Sequence, residues 1–382
     1  MRGMPNDPAP ARKAPRAADH LAVDRAVSEL RRGGIVAVRA GTDRDRLALL
    51  VAAEMITDDT VGQLRRLTGS DPVLAITRNR AIALGSGGPA PVVTVTLPPG
   101  SSADRVAAIA DPTAGAVDTG GLITLPEPQS GTAAAAIRLV KLARLIPAAL
   151  VATVSDVPPA RMDVWARGHA LLLVDSEAIE THRQISAKRL VRAASARVPL
   201  IDAEECELIA FRPTDGGLEH VAIRIGDPDP DQPVLIRLHS SCLTGDLLGS
   251  LRCDCGDQLR GAIKTIADAG GGVLVYLAQE GRDIGLVNKL KAYSLQDLGA
   301  DTVDANTMLG YDDDERVYFP AAEMLNLLGI TRVRLMTNNP EKIGQLAACG
   351  VEVVERVRHV FPSNQHNERY LATKAGRSGH LF

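Results

Sequence analysis

The chain has 382 residues, a formal net charge of −3 and an aromatic share of only 3%. With no overall basic field it is a poor partner for nucleic acid, and no apolar run approaches the ~18 residues that a membrane span needs. A hydrophobic share of 45%, carried by Ala, Val and Leu, is ample for the cores of a two-domain, alanine-rich α/β protein with α+β layers.

Residues 1–20 are rich in Pro, Ala and Arg without a hydrophobic stretch, a composition that predicts a disordered tail and not a secretory signal. From Leu21 onward helix and strand alternate. Leu21, Val23, Ala26, Val27 and Leu30 fall at helical spacing, and Gly33-Gly34 ends that helix. Strands are predicted at 35–38, 73–77, 92–97, 149–154 and 170–174. Helices are predicted at 132–145 and from the end of the last strand through Arg192. This alternation defines an α/β domain over residues 21–196. A different texture then opens a second domain, 197–382. Strands at 207–211, 220–225 and 234–238 are separated by Gly, Pro and Asp turns, of which Gly226–Asp231 is a solvated example. Helices at 258–269, 284–298, 316–328 and 341–349 then alternate with strands at 272–277, 333–336 and 351–357. The polar stretch from Pro362 is expected to be partly mobile.

The chemistry concentrates in the second domain. Cys253 and Cys255 flank a single residue, and Cys242 precedes Cys253 by eleven positions across a bend favoured by Thr244-Gly245. Three thiolates can hold one Zn2+ and leave the fourth position to water, the arrangement of a catalytic site. The plainer interpretation is ordinary buried cysteines. A disulfide is disfavoured, because the other two cysteines, Cys206 and Cys349, are far away in sequence. Free thiols suited to metal imply a reducing cytoplasm.

Four further segments stand out. Gln279–Gly285 follows a predicted strand and leads into a helix, a placement suited to anions, and Arg282 adds a planar donor fork. Tyr293, set among lysines, is either a packing residue or a hydroxyl that relays a proton. Tyr311–Arg316 carries four acids. These form a solvated loop with Asp313 or Asp314 as helix N-cap, or supply a general base and an arginine. In Leu335–Lys342, Thr337 and nearby backbone N–H groups could cradle phosphates that Lys342 neutralises. Together they point to a zinc-activated water attacking a phosphorylated or nucleotide substrate. The residues alone do not name the base.

Longer motifs carry a resemblance. Arg237-Leu238-His239-Ser240, Cys242-Leu243-Thr244-Gly245-Asp246, Ser250–Gly256, Gln279–Arg282, Asp301–Val303, Ala305-Asn306, Asp314–Arg316, Thr337–Pro340, His366–Leu371 and Gly379–Leu381 match the pattern of GTP cyclohydrolase II of riboflavin biosynthesis, which residues 200–382 closely resemble. The resemblance implies zinc-assisted attack at C8 of the guanine ring of GTP, with loss of formate and pyrophosphate. The implied product is 2,5-diamino-6-(5-phosphoribosylamino)pyrimidin-4(3H)-one. It implies zinc on Cys242, Cys253 and Cys255. Asp314 becomes the proton acceptor, Arg316 the nucleophile or phosphate-transfer residue, and Tyr293 lies beside the ring. Arg237, Leu238, His239, Ser240, Ser241, Gln258, Glu280, Gly281, Arg282, Thr302, Thr337 and Lys342 contact the nucleotide, with Mg2+ on the triphosphate. A guanidinium protonated up to a pKa above ~12 is a poor nucleophile, so Arg316 better suits electrostatic stabilisation of departing pyrophosphate. Ser241 stands where the family often has Glu, which bears on nucleotide preference.

Residues 21–190 more faintly resemble 3,4-dihydroxy-2-butanone 4-phosphate synthase, through Gly33–Val38, Ala52-Ala53-Glu54 and Leu142–Ala149. The synthase's acidic magnesium loop is replaced by Asp43-Arg44-Asp45-Arg46-Leu47-Ala48, and its Gly-His-Thr-Glu motif by Gly131-Thr132-Ala133-Ala134. Hard cations need oxygen-rich sites. The domain is therefore expected to fold without synthase activity, stabilising the enzyme or forming the surface of a homodimer. Two alternatives compete with the main reading: a related zinc cyclohydrolase acting on another nucleotide such as UMP, and a non-catalytic nucleotide-binding regulator.

Overall fold

The computed structural model describes residues 17–41, 44–115 and 122–361. The first domain runs α1 (Ala17–Arg31), β1 (Val36–Ala40), β2 (Arg46–Ala52), α2 (Asp58–Thr68), β3 (Val73–Thr77), α3 (Arg78–Ala83), β4 (Val92–Val95), α4 (Ala103–Ala110), β5 (Thr124–Pro126), α5 (Thr132–Leu142), β6 (Ala148–Val154), α6 (Met162–Gly168), β7 (Leu172–Asp175) and α7 (Ser176–Ala187). The second follows with β8 (Leu190–Arg197), β9 (Cys206–Pro213), β10 (His220–Ile225), β11 (Val234–Ser240), α8 (Cys255–Asp268), β12 (Gly272–Leu277), α9 (Leu286–Asp297), α10 (Thr302–Met308), α11 (Phe319–Leu327), β13 (Arg332–Met336), α12 (Pro340–Ala348) and β14 (Glu352–Val357).

Each half builds one seven-stranded sheet. The first has the order β5-β4-β3-β6-β2-β1-β7 and is antiparallel except where β1 meets β7. The second has the order β14-β13-β11-β12-β10-β9-β8. There β14, β13, β11 and β12 run parallel and β10, β9 and β8 antiparallel. β11 is buried along nearly its whole length, as expected of an interior strand flanked by parallel neighbours. Ala133–Ala136 of α5 are all buried, and their small side chains let this helix lie close on the first sheet.

Several elements depart from the sequence pattern. α1 begins at Ala17, inside the expected tail. Residues 1–16 lie outside the described residues, as do Asp43 and the stretch from 362, with its motifs 366–371 and 379–381. The helix expected through Arg192 stops at Ala187, and 190–197 is the edge strand β8 of the second sheet. Its residues after Leu190 are exposed, so no apolar period announces it. Residues 43–48 read as a charged loop, yet β2 starts at Arg46 and is buried from Leu47. The helix expected from 316 begins only at Phe319. α2, α3, α4, α6, α10, β5 and most of β2 have no counterpart among the predicted elements, although α2 and α4 are amphipathic and residues 47–52 form a continuous apolar run.

The two halves share a core. Ile284, Ala292, Leu295, Ala305, Leu309 and Tyr311 of the second half join the cluster formed by one face of the first sheet. Tyr311 is 1% exposed, and its hydroxyl donates to the Leu145 carbonyl (2.6 Å).

Candidate active site

β11 ends at Ser240, and the Ser241 N–H donates to the Leu277 carbonyl of β12 (2.8 Å). A single π-type turn, Leu243–Leu247, then folds the chain over itself before Cys255 opens α8. The result brings the sulfurs of Cys242, Cys253 and Cys255 within 4.8 Å of one another, with Cys242 and Cys253 at 3.8 Å. A tetrahedral zinc with bonds of about 2.3 Å would separate its sulfurs by roughly 3.8 Å, so the donor set fits that ion. Glycine is required over the sulfurs. A Cβ on Gly245 would meet Cys253 Sγ at 2.7 Å and Cys242 Sγ at 3.1 Å.

The electrostatics of this cluster call for a cation. Hydrogen bonds from Cys253 and Cys255, helped by Lys289, hold the Cys242 thiol far below its usual range. The hydrogen bond to Cys242 pushes Cys253 up to about 11, and Cys255 is raised for the same reason. Three packed thiols cannot all ionise by themselves, whereas a bound dication deprotonates its thiol ligands. Lys289 Nζ donates to Cys242 Sγ (3.1 Å), Thr244 Oγ1 (2.9 Å) and Glu280 Oε1 (2.8 Å). Burial opposes its charge, but Glu280 and the Cys242 sulfur outweigh this and raise its pKa. Asp246 braces the turn by accepting from the Cys242 N–H (2.9 Å) and the Tyr276 hydroxyl (2.9 Å). Its other oxygen lies 3.0 Å from His239 Nε2.

The sulfurs head a cleft at the carboxyl ends of the parallel strands β11, β12 and β13, where open α/β sheets bind ligands. Six cationic side chains line it: Arg237, Arg252, Arg282, Lys289, Arg316 and Lys342. Among the described lining residues there is no carboxylate. Arg237 is buried, donating to the Met336 carbonyl (2.9 Å) and to Gln258 Oε1 (2.5 Å). Burial pushes its pKa down to about 10, still well above neutrality. Lys342 Nζ reaches the Leu238 carbonyl (3.3 Å). Thr337 Oγ1 accepts from the Asn339 N–H (3.0 Å), and Asn339 caps α12. Tyr293 Oη lies 3.4 Å from Thr244 Oγ1, with the Arg252 guanidinium 5.0 Å above its ring.

Two loops supply the remaining arginines. In 278–285, Arg282 and Asp283 both adopt left-handed backbone, at φ 60° and 74°. Arg282 donates to the Asp313 carbonyl (3.0 Å) and carboxylate (2.5 Å). In 312–318, Arg316 grips Asp314 with both arms of its guanidinium, Nε to Oδ1 at 2.8 Å. Burial raises the Asp314 pKa, but Arg316 and Arg282 overcome it, and the group ends below the usual carboxylate range.

Of the residues singled out in the sequence, Arg237, Leu238, His239, Ser240, Ser241, Gln258, Gly281, Arg282, Tyr293, Thr302, Arg316, Thr337, Lys342 and the three cysteines all line this cleft. Glu280 and Asp314 stand behind it. Glu280 binds Lys289 and the Leu243 N–H (2.7 Å), and Asp314 binds Arg316. Lys289, Asp246, Arg252 and Asn306 were missed as site residues. Lys289 carried a usable signal, lying four residues before Tyr293 and so on the same face of α9.

Three convergent thiols heading a cation-lined cleft fit an enzyme that holds a metal ion and acts on an anionic substrate. The profile of GTP cyclohydrolase II matches residues 191–358. The GTP cyclohydrolase-2 of Azospirillum brasilense is 54% identical over 369 residues, 94% of each chain. The GTP cyclohydrolase-2 of Yersinia pestis is 51% identical over 194 residues, 51% of this chain and 98% of its own. Among solved structures, a two-domain 3,4-dihydroxy-2-butanone 4-phosphate synthase from A. baumannii aligns with 89% of this chain and 99% of its own, at 16% identity and a TM-score of 0.37. The chain belongs to the GTP cyclohydrolase II family.

Proposed function

We propose that the protein opens the imidazole ring of the guanine of GTP, releasing formate and pyrophosphate, as the first step of riboflavin biosynthesis. The observation that carries this reading is one cleft with three convergent sulfurs at its head and six cations along its wall. Zinc held by Cys242, Cys253 and Cys255 would supply Lewis acidity and a hydrolytic nucleophile at neutral pH. The triphosphate lies against Arg237, Arg282, Arg316 and Lys342. Mg2+ arrives on the phosphates, since among the described residues the wall offers it no carboxylate. Arg316, tied to ionised Asp314, stabilises charge on the departing pyrophosphate. For Asp314 to accept a proton it must first loosen that ion pair. Tyr293, beside Thr244, is placed to hold a proton near the ring.

The first domain is proposed to lack synthase activity. The acids that remain near its altered motifs are neutralised by arginines. Arg39 binds Asp175 through two contacts of 2.6 and 3.0 Å, and Arg44 binds Glu177 at 3.1 Å. Among the described residues, only the three cysteines cluster as metal ligands. A homodimer is supported by Leu243, Leu247, Leu248 and Leu251, all exposed within one short stretch. Among the described residues no helix is long and apolar enough to cross a membrane.

The test is turnover by zinc-loaded, full-length protein with GTP and, separately, UMP, with formate and the pyrimidine product identified. Formate from GTP alone is expected. Zinc-replete protein that yields none overturns the reading: opening of UMP would indicate another nucleotide, and GTP binding without turnover a regulator. Cys253→Ser is expected to lose both zinc and turnover.

A further inference from the structure

We propose that the first domain, although inert as a synthase, holds the catalytic loops of the second in register, with Arg144 and Lys141 as positioning residues. This rests on the GTP-hydrolase reading above. Arg144 closes the end of α5 in a left-handed conformation, φ 56°, which presents its side chain to loop 278–285. Its guanidinium donates to the Ala278 carbonyl (2.8 Å) and the Asp283 carboxylate (2.5 Å), bridging the two ends of that loop. Its methylenes pack on Gly285, and its carbonyl accepts from Asn288 at the start of α9 (2.9 Å). Arg282 sits inside this brace on backbone that a non-glycine residue seldom adopts.

The second loop is held at Asp312, whose carboxylate accepts from Lys141 Nζ (2.8 Å) and Asn79 Nδ2 (3.2 Å), and in two ways at Glu315. Lys141 Nζ binds the Glu315 carboxylate (2.6 Å), and Arg183 donates to the Glu315 carbonyl (2.7 Å). Glu315 stands between Asp314 and Arg316, so fixing it fixes both neighbours. The Glu315 N–H donates in turn to the Arg282 carbonyl (3.3 Å), joining the two loops. Arg282 and Arg316, the cations assigned to the phosphates, thus take their positions from three basic residues of the other domain. None of the three touches the proposed substrate position: Arg144, Lys141 and Arg183 are absent from the cleft wall. A Yersinia family member about half this length aligns over 98% of itself, so the brace belongs to this longer chain and not to the family's shared chemistry.

The test uses full-length Arg144→Ala, Arg144→Lys and Lys141→Met, with zinc content, thermal midpoint, kcat and KM for GTP measured on each. In Arg144→Ala and Lys141→Met, kcat/KM is expected to fall about tenfold or more, with KM rising, because misplaced phosphate contacts weaken both ground and transition state. Zinc content should stay near that of the parent, and a thermal midpoint lowered by stranding the Asp283 or Glu315 carboxylate should still leave each variant folded at the assay temperature. Arg144→Lys, which keeps the ion pair to Asp283 but not the second bond, should recover part of the loss. Parent-like kcat and KM in both truncated variants overturn the proposal. So does a loss that merely follows a lowered thermal midpoint and is not relieved by lysine. Failure of the parent protein itself to open GTP would sink the underlying reading instead.

Discussion

Lys289 shows how much one side chain can carry. It is 8% exposed, and its ammonium serves a thiol ligand, a hydroxyl and a carboxylate together. Removing one partner of a buried pair leaves the other charge uncompensated, which costs about 3 kcal/mol or more. Lys289→Met is therefore expected to lose about that much stability in denaturant titrations. Adding Glu280→Gln should restore part of it, since the orphaned charge is then gone; a double variant no better than the single would contradict the pairing. His220 gives the pH dependence. It accepts the Ala278 N–H at Nδ1 (3.1 Å), and burial, reinforced by Arg144, lowers its pKa from 6.5 to about 4. The unfolded chain binds this proton as pH falls through 6.5, while the folded chain does not until about 4. The stability is thus fully present above 6.5 and drains away between 6.5 and 4, by about 3 kcal/mol at the limit. His220→Asn keeps an acceptor for Ala278 without a titrating group. Urea unfolding at pH 7.5 and at pH 5 should show a smaller acid loss for the variant, and equal losses would refute the buried neutral histidine.

At the scale of elements, the π-type turn 243–247 decides whether the three sulfurs converge. Gly245→Ala places a methyl where three cysteines already crowd, with Cys255 Cβ at 2.8 Å. Zinc retention against a chelator is expected to weaken at least about tenfold, with far-UV circular dichroism unchanged. Full zinc occupancy would show that the turn can yield. Much of this site was legible beforehand because its chemistry is carried by residue type: sulfurs at 242, 253 and 255, and cations at 282, 316 and 342. What escaped was held by tertiary context. Asp246 reads as one acid in a loop until the fold brings Tyr276 and His239 to it. β8 escaped because an exposed edge strand needs no apolar alternation, and its pairing with β9 alone defines it. α2 escaped although its signs were present: an amphipathic stretch burying Val61 and Leu64, opened by the Thr57–Thr60 capping box and closed by the left-handed Gly69. The buried strands β3, β6 and β12 were read correctly because short runs of Val, Ile and Leu bounded by turns have few other uses.

At the scale of the molecule, the seam between the halves is built as a core and not as a docking surface. Tyr311 belongs to the second domain by sequence, yet its ring is packed in the cluster under the first sheet and its hydroxyl reaches Leu145 and Asn288. Thr77, Asn79 and Arg80 of the first domain bind the carbonyls of Gly310, Tyr311 and Met308. Lys291 crosses the other way to Glu54 (2.6 Å) and Asp111 (2.8 Å). With apolar and polar contacts interleaved, neither half can open without exposing Ile284, Leu295 and Leu309 together. Unfolding of the zinc-bound protein is therefore expected as one transition, coincident by fluorescence and circular dichroism. Tyr311→Ala removes a fully buried ring and leaves the Leu145 carbonyl without its donor, at a cost of about 3–5 kcal/mol. Because the ring ties the halves together, that loss should lower the stability of both. A single transition shifted to lower denaturant is the expected result. Two separated transitions, with the first domain's midpoint unmoved, would mean that the halves fold independently and that the shared core couples them only weakly.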